Sequence, residues 1–208
     1  MTAPVDSFEV NESNGRITFL QLKDGQRLVF DQVVLAVPWT AAAKFLPVSD
    51  RSQQLASSLI NGPILGIHLW TDHPLAPDLI TGFLDSPLHW LFDRTSTLPE
   101  GSGGHLYAAV ISAISDRIDQ SGKELVELVL SEIHRLIPSS REVKVTHHVV
   151  YKSRDATFSG PTGKPLARPG PITSIDNLFL AGDWTDTNLP ATIEGAAVSG
   201  FRAAEAVG

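Results

Sequence analysis

The segment from Asn177 to Ala196 constrains the fold of this 208-residue chain more than any other part of the sequence. It reads as a buried apolar strand, a Gly-Asp turn, a loop, and a helix that begins after Pro190. A helix N-terminus carries unpaired backbone N–H groups and a partial positive charge. The segment therefore predicts either a binding site for a polar ligand or an ordinary α/β crossover in which Asp183 stabilises the turn.

Composition excludes several classes of protein. The chain is 42% hydrophobic and 19% charged, which is enough apolar material for a normal core. Its net charge is −7 and its Lys and Arg residues form no run, so we expect no nucleic-acid surface. Cysteine is absent, and the seven histidines show no metal-ligand spacing, so we expect no metal site.

Location is predicted from what the sequence lacks. No apolar stretch approaches the roughly 20 residues that a membrane-spanning helix needs. The first residues carry neither the basic nor the apolar region of a signal peptide, and a chain without cysteine fits a reducing compartment. We therefore expect a cytoplasmic protein.

Local patterns predict alternating strands and helices. Residues 16–37 predict a β-meander with a hairpin turn at Asp24-Gly25, and the apolar run from Val33 to Val37 predicts a strand buried on both faces. Ser121 and Glu124 have the spacing of a capping box before a helical apolar pattern that Pro138 ends. Further predictions are helices at 40–45 and 50–60 (N-cap Ser49 or Asp50), strands at 64–70, 79–84, 88–92, 105–113 and 143–151, and an extended loop over 152–176.

The C-terminal segment resembles the flavin motif of the FAD-dependent amine oxidase and carotenoid desaturase superfamily. The resemblance lies in Leu-Phe-Leu-Ala-Gly-Asp-Trp-Thr-Asp at 178–186 and Pro-Ala-Thr-Ile-Glu-Gly-Ala-Ala-Val-Ser-Gly at 190–200. The strand at 31–38 and Arg168-Pro169 fit the same superfamily. Residues 64–74 and 88–94 are most similar to plant-type phytoene desaturases and hydroxysqualene dehydroxylases.

This resemblance implies roles for particular residues. Asp183, with Gly182, is expected to bind the ribityl–phosphate part of FAD, and the N–H groups of Thr192 and Ile193 to approach the pyrimidine edge of the flavin. Trp184 is expected near the flavin or the substrate, with core packing as an equal alternative. The implied cofactor-binding residues are Gly182, Asp183, Trp184, Ala191, Thr192, Ile193 and Glu194. The resemblance assigns no catalytic residue.

Two departures from the flavin amine oxidases favour a different substrate. Those enzymes carry an aromatic residue two positions before the motif glutamate, and here that position is Thr192. They also tend to carry a lysine on the strand that corresponds to residues 64–70, whereas this chain has no lysine between Lys44 and Lys123. The resemblance then implies an FAD-dependent oxidoreductase of a polyisoprenoid, acting by desaturation or by reductive dehydroxylation.

A third departure concerns completeness. The superfamily begins with a Gly-x-Gly-x-x-Gly turn that cradles the FAD pyrophosphate, and the sequence contains no such fingerprint. The chain is therefore expected to be the C-terminal part of a longer enzyme, with FAD absent or weakly bound in this chain alone. The alternatives are a fragment of an amine-oxidase-type flavoprotein and a non-catalytic module that binds a partner or an apolar ligand.

The implied fold is a mixed α/β (α+β) fold in two lobes. Residues 1–47 and 152–208 are expected to form a partial, Rossmann-like FAD-binding lobe, and residues 48–151 a substrate lobe with a mixed β-sheet backed by a helix. The expected substrate is an apolar small molecule, and the full enzyme is expected to contact a membrane peripherally. An exposed edge of the strand at 178–180 is expected to pair with a second copy or with an N-terminal partner chain.

Overall fold

The computed structural model describes residues 4–161, 163 and 166–208. It contains two compact units, residues 1–60 with 158–208, and residues 61–157. Both units combine sheets with helices, which confirms the mixed α/β fold class. Residues 162, 164 and 165 of the predicted loop lie outside the described residues. The assignment of the two units to cofactor and substrate stays a prediction.

The first unit begins with a three-stranded antiparallel sheet. Its strands are β1 (Val5–Asn11), β2 (Arg16–Leu22) and β3 (Arg27–Leu28). The predicted turn at Asp24-Gly25 is confirmed, and Gly25 has a φ of 88°. β1 was not predicted, because its residues are mostly polar and partly exposed and so lack a clear apolar alternation.

A short parallel pair joins the two distant parts of this unit. β4 (Val33–Leu35) runs parallel to β10 (Leu178–Leu180), with Val33 opposite Leu178. The prediction that the run from Val33 to Val37 is buried on both faces is wrong. Val34, whose side chain is 44% exposed, and Ala36 lie on an exposed face, and the other residues of the run are only partly buried. In the described residues this sheet has two strands, and no element covers the outer face at Val34.

The expected exposed edge on β10 is also wrong. All three residues of β10 are buried. On the side away from β4, Ile172 forms a bridge with Phe179, and the carbonyl of Pro171 accepts the N–H of Leu180 at 2.8 Å. The chain's own segment therefore occupies the edge that was expected to bind a second copy.

Three helices complete the first unit. They are α1 (Trp39–Phe45), α2 (Arg51–Ser58) and α4 (Ile193–Val207). Asp50, one of the two predicted candidates, is the N-cap of α2, and its carboxylate accepts the N–H of Ser52 at 2.6 Å. The main core of this unit is formed by Ile17, Trp39, Ala42, Leu46, Ala56, Leu59, Phe158, Ile175, Leu178, Leu180 and Trp184.

The second unit is a five-stranded sheet with one helix against it. The strand order is β6 (Ile80–Gly82), β7 (Trp90–Asp93), β8 (His105–Ser112), β5 (Ile60–Thr71) and β9 (Val145–Ser159). The first three pairings in this order are antiparallel. Gly62 lies against Thr157 while Thr146 donates to the carbonyl of Trp70, so β9 and β5 also run in opposite directions.

β9 is longer than predicted. The expected loop from residue 152 is wrong as far as Ser159, because the strand continues to that residue. Its partner β5 begins at Ile60, ahead of the predicted start at residue 64. The additional residues of β5 pair with residues 152–159 of β9, a polar stretch whose sequence has no strand-like apolar pattern.

Helix α3 (Gly122–Leu136) backs the second sheet, as predicted. Ser121 accepts the N–H of Glu124, and the Glu124 carboxylate accepts the N–H of Ser121, so the capping box is confirmed. Short 3₁₀ turns lie at Thr95–Thr97 and Pro138–Glu142. The core between sheet and helix is formed by Leu65, Ile67, Leu69, Leu75, Leu88, Leu91, Tyr107, Ala109, Ile111, Leu125, Val126, Val129 and Ile133, among others.

Asn177 provides a test of how β10 is held in the first unit. Its buried amide accepts the N–H of Ile17 at 2.7 Å and donates to the carbonyls of Ile17 and Asp31. Asn177→Ala leaves these backbone groups unpaired, so we expect a loss of about 2–3 kcal/mol in the free energy of unfolding. Urea denaturation measures it. Asp176→Ala, at the exposed neighbouring residue, is the control, and equal losses in both variants would contradict the prediction.

Asp50 provides a test of pH dependence. Burial alone would raise the pKa of this carboxyl, but hydrogen bonds from Ser174 and Ser52 outweigh burial and lower it from 3.8. A lowered pKa in the folded state means that the stabilisation is present above about pH 3.8 and is lost as the pH falls through the folded-state value.

We therefore expect Asp50→Asn to reduce the free energy of unfolding by about 1–2 kcal/mol at pH 7 and to match the wild type in strong acid. Asparagine keeps the capping ability but cannot accept the bonds from Ser174 in the same way. Urea titrations between pH 7 and about pH 2 measure the difference. A gap between the two proteins that stays constant with pH would refute this account.

Candidate functional site

The turn after β10 depends on a glycine. Gly182 has a φ of 144°, and a Cβ atom placed there would lie 2.6 Å from the indole nitrogen of Trp184. Its N–H donates to the hydroxyl of Ser199 at 2.7 Å, and this hydroxyl in turn donates to the carbonyl of Ala196. The turn is thus hydrogen-bonded directly to the second turn of α4, and the N–H of Gly182 is used within the protein.

Trp184 holds the turn from the other side. Its side chain is fully buried in the core of the first unit, and its Nε1–H donates to the carbonyl of Val37 at 2.9 Å. The position supports the core-packing alternative, because a fully buried indole offers no surface to a ligand. Trp184 therefore acts on the candidate site through the shape of the turn.

Two arginines hold the loop between the turn and α4. Arg168 donates to the carbonyls of Asp183 and Leu189, the second at 2.7 Å, and its side chain is 12% exposed. Arg202, on α4, donates to the carbonyls of Asp186 and Thr187. Both guanidinium groups bind backbone oxygens, so they fix the course of the loop.

The start of α4 leaves donors free. Thr192 is the N-cap, and its hydroxyl accepts the N–H of Gly195 at 3.1 Å while its carbonyl accepts the N–H of Ala196 at 2.9 Å. No acceptor in the described part of the chain pairs with the N–H groups of Ile193 and Glu194. These N–H groups lie at the positive end of the helix dipole, where an electron-rich ligand atom is stabilised.

The residues at this helix start fit one side of a flavin. Free N–H groups match the oxygen and nitrogen acceptors of a pyrimidine edge, and the Asp183 carboxylate accepts no hydrogen bond from the described residues, which leaves it able to bind hydroxyl groups. Gly195 lies so close to Pro190 that a Cβ atom would be 2.7 Å from its carbonyl oxygen, so glycine allows the loop backbone to pack against the first turn of α4. Glu194 places a negative charge in the same turn, which competes with a negatively charged ligand atom.

The second unit presents an aromatic face. Leu65, Ile67 and Leu69 of β5 point into the core with α3, so the alternate residues of β5 point to the opposite face. On that face the ring of His68 lies 5.6 Å from Tyr151, and that of Trp70 lies 5.1 Å from His147. We define the aromatic face as His68, Trp70, Trp90, Phe92, His147 and Tyr151.

His89 of the second unit has a structural role. Its Nδ1 atom accepts the N–H of Ser112 at 3.1 Å, so this imidazole holds the backbone of β8.

No cluster of three His, Asp or Glu side chains in the described ranges has the geometry of a metal site. None of the helices that the structure describes is both long and apolar enough to cross a bilayer.

Comparison with protein-family models assigns the chain to one family. The model for flavin containing amine oxidoreductases matches residues 2–208, which include the Gly182 turn, the arginine-held loop and the start of α4. The chain belongs to this family. Membership in this flavin-containing family agrees with the N–H donors at the start of α4 and with the Asp183 carboxylate in the turn after β10.

Curated relatives of this chain include a hydroxysqualene dehydroxylase and a phytoene desaturase. Hydroxysqualene dehydroxylase of Rhodopseudomonas palustris is 34% identical over 177 residues, which are 85% of this chain and 38% of the relative. The 15-cis-phytoene desaturase of Synechococcus elongatus is 25% identical over 100% of this chain and 47% of its own length. The chain thus spans less than half the length of these relatives.

Solved structures share the fold of this chain. A putrescine oxidase double mutant superposes with a TM-score of 0.73 at 17% identity, over 99% of this chain and 48% of that one. An oxidoreductase from Methanosarcina mazei superposes with a TM-score of 0.69 at 17% identity, over 97% of this chain and 48% of that one. At these identities the likeness establishes the fold alone.

The structure brings most of the predicted cofactor residues to one region. Thr192, Ile193 and Glu194 form the helix start, and Asp183 lies in the turn that Arg168 binds. Sequence reasoning missed Ser199 and Arg202, because a serine and an arginine inside a helix give no signal of the distant carbonyl or N–H that they meet. Arg168 was noticed through the resemblance, but its bonds to the loop were not foreseen.

Gly182 provides a test of the turn. Gly182→Ala places a Cβ atom against the Trp184 indole and forces a left-handed φ on alanine, so we expect a loss of about 2 kcal/mol or more in the free energy of unfolding. Gly200→Ala is the matched control: this exposed helical position has no atom within 4 Å, and we expect a gain of about 0.5–1 kcal/mol. Urea denaturation that ranked the two variants in the opposite order would contradict the assignment.

Proposed function

We propose that this chain is part of an FAD-dependent oxidoreductase that acts on a polyisoprenoid, and that it contributes residues that contact the flavin and residues that contact the substrate. The observation that carries the proposal is the pair of N–H groups at the start of α4 that have no acceptor among the described residues, in a chain that belongs to a flavin-containing family. Asp183, Ala191, Thr192, Ile193 and Glu194 would hold the cofactor. FAD, when bound, supplies the redox chemistry, and the protein binds and orients.

The aromatic face supports an apolar substrate. The names of two relatives, hydroxysqualene dehydroxylase and phytoene desaturase, indicate long isoprenoid substrates. This chain is more similar to the dehydroxylase, at 34% identity, than to the desaturase, at 25%. Trp90 and Tyr151 are about half exposed, so an apolar chain lying on this face would remove aromatic surface from water. We infer reductive dehydroxylation as the first candidate reaction and desaturation as the second.

Amine oxidation has less support from the site. The hydroxyl of Thr192 is used to cap α4, and this position carries no aromatic ring that could contact an amine. β5, from Ile60 to Thr71, contains no lysine. A non-catalytic module stays the alternative for the chain taken alone, since it spans less than half of its relatives.

The chain contains no Gly-x-Gly-x-x-Gly turn, so we propose that an N-terminal segment or a partner chain supplies the cradle for the FAD pyrophosphate. The full enzyme would take its water-insoluble substrate from a membrane surface by peripheral contact. Cytoplasmic location stays a prediction from the sequence.

Ile193 offers a precise test of flavin binding. Proline is tolerated at the first position of a helix and lacks an N–H, so Ile193→Pro removes one donor and keeps α4. We join the N-terminal half of the Rhodopseudomonas palustris dehydroxylase to this chain and titrate FAD by flavin fluorescence. Ile193→Pro is expected to weaken binding about fivefold, because one hydrogen bond is lost.

Ile193→Ala keeps the N–H and is the control, which is expected to bind FAD like the parent because the Ile193 side chain is 92% exposed. In the loaded protein, reduced flavin is expected to be reoxidised by hydroxysqualene, while putrescine leaves oxidised flavin unchanged. Equal affinities of the proline and alanine variants would refute the role of the helix start. Reduction of the flavin by putrescine would refute the isoprenoid assignment.

A further inference from the structure

A cleft opens in the middle of the aromatic face. In the register of the sheet, His68 of β5 lies opposite Ala108 of β8, which in turn lies opposite Phe92 of β7. The small side chain of Ala108 leaves a gap between the imidazole and the phenyl ring. The gap is a cleft of about 340 Å³ lined by His68, Phe92, Arg94, Thr97, Leu106 and Ala108.

His68 is the polar group on the floor of this cleft. Its ring is flanked by aromatic rings, with Trp70 at 6.2 Å and Tyr151 at 5.6 Å between centroids. No hydrogen-bond partner for either imidazole nitrogen is found among the residues that the structure describes. His89 and His134, by contrast, each place Nδ1 within hydrogen-bond distance of a serine atom.

An imidazole without a partner is an unusual choice for an apolar surface. A leucine or phenylalanine at residue 68 would extend the aromatic face without the need for a hydrogen bond. His68 is partly buried and water still reaches its ring nitrogens, so a ligand that covers the cleft must bring its own polar atom to replace that water. Neutral imidazole offers an N–H donor at one ring nitrogen and an acceptor at the other, so a hydroxyl group can accept from the first or donate to the second.

We propose that His68 hydrogen-bonds the hydroxyl group of an isoprenoid alcohol whose hydrocarbon chain lies on the aromatic face. The inference rests on the proposed function and adds the residue that determines specificity: His68 selects an oxygen-bearing isoprenoid over the corresponding hydrocarbon. A hydroxyl that leaves water for an apolar face loses its hydrogen bonds, and His68 replaces one. Arg94 also lines the cleft, but its exposed guanidinium stays solvated by water.

The test compares two probes of equal chain length, farnesol and β-farnesene, on the full 208-residue chain. Trp70 and Trp90 lie on the aromatic face, so binding of either probe shifts tryptophan emission to shorter wavelength, whereas Trp39 and Trp184 are buried in the first unit. We expect farnesol to bind about five- to tenfold more tightly than β-farnesene. His68→Phe is expected to abolish that preference and to keep or strengthen the binding of β-farnesene.

Two control variants isolate His68. His73→Phe makes the same change on an imidazole that is 75% exposed and beside Asp72, and is expected to keep the preference for farnesol. Arg94→Leu removes the guanidinium donor of the cleft and is also expected to keep the preference for farnesol. A preference that survives in His68→Phe, or that disappears in Arg94→Leu, overturns the inference while the apolar face stands. Failure of both probes to bind overturns the apolar face and the inference together.

Discussion

The turn at Gly182 is the constraint on which the first unit depends. Its N–H is bonded to Ser199 in the interior of α4, and the absence of a side chain lets the Trp184 indole lie against the backbone. The indole is bonded in turn to the carbonyl of Val37, just beyond β4. One turn thus joins the last strand, the last helix and the chain that follows β4. Any side chain at residue 182 would disturb all three contacts.

In the same region some backbone carbonyl and N–H groups are hydrogen-bonded within the protein, and other N–H groups remain available to a ligand. Arg168 and Arg202 bind four carbonyl oxygens of the loop, and the Thr192 hydroxyl binds one N–H of the first helical turn. The N–H groups of Ile193 and Glu194 are left over in the described structure. Because the loop is held through its backbone, the donors at the helix start are in place before a ligand binds, which reduces the entropy cost of binding.

The second unit is built on the two-residue period of a β-sheet. One face of β5 lies in the core with α3, and the other carries the aromatic face. A sheet with one covered face leaves the second face available to an apolar ligand. The position of His68 opposite Ala108 creates the cleft and places one polar group in it. Residue size and register together therefore decide where a polar atom of a ligand is recognised.

The sequence by itself determined the elements with strong local signals: the Asp24-Gly25 turn, the capping box at Ser121, the cap at Asp50 and the strand–turn–helix of the C-terminal segment. These depend on contacts within a few residues, so local patterns specify them. Tertiary structure alone decided the length of β9, the covered edge of β10, the burial of Trp184 and the bonds of Ser199 and Arg202. Each depends on a partner distant in sequence, such as the long β5 that pairs with a polar stretch or the Val37 carbonyl that receives the indole N–H. A single sequence shows which groups need partners, but only the folded chain shows which partners lie within bonding distance.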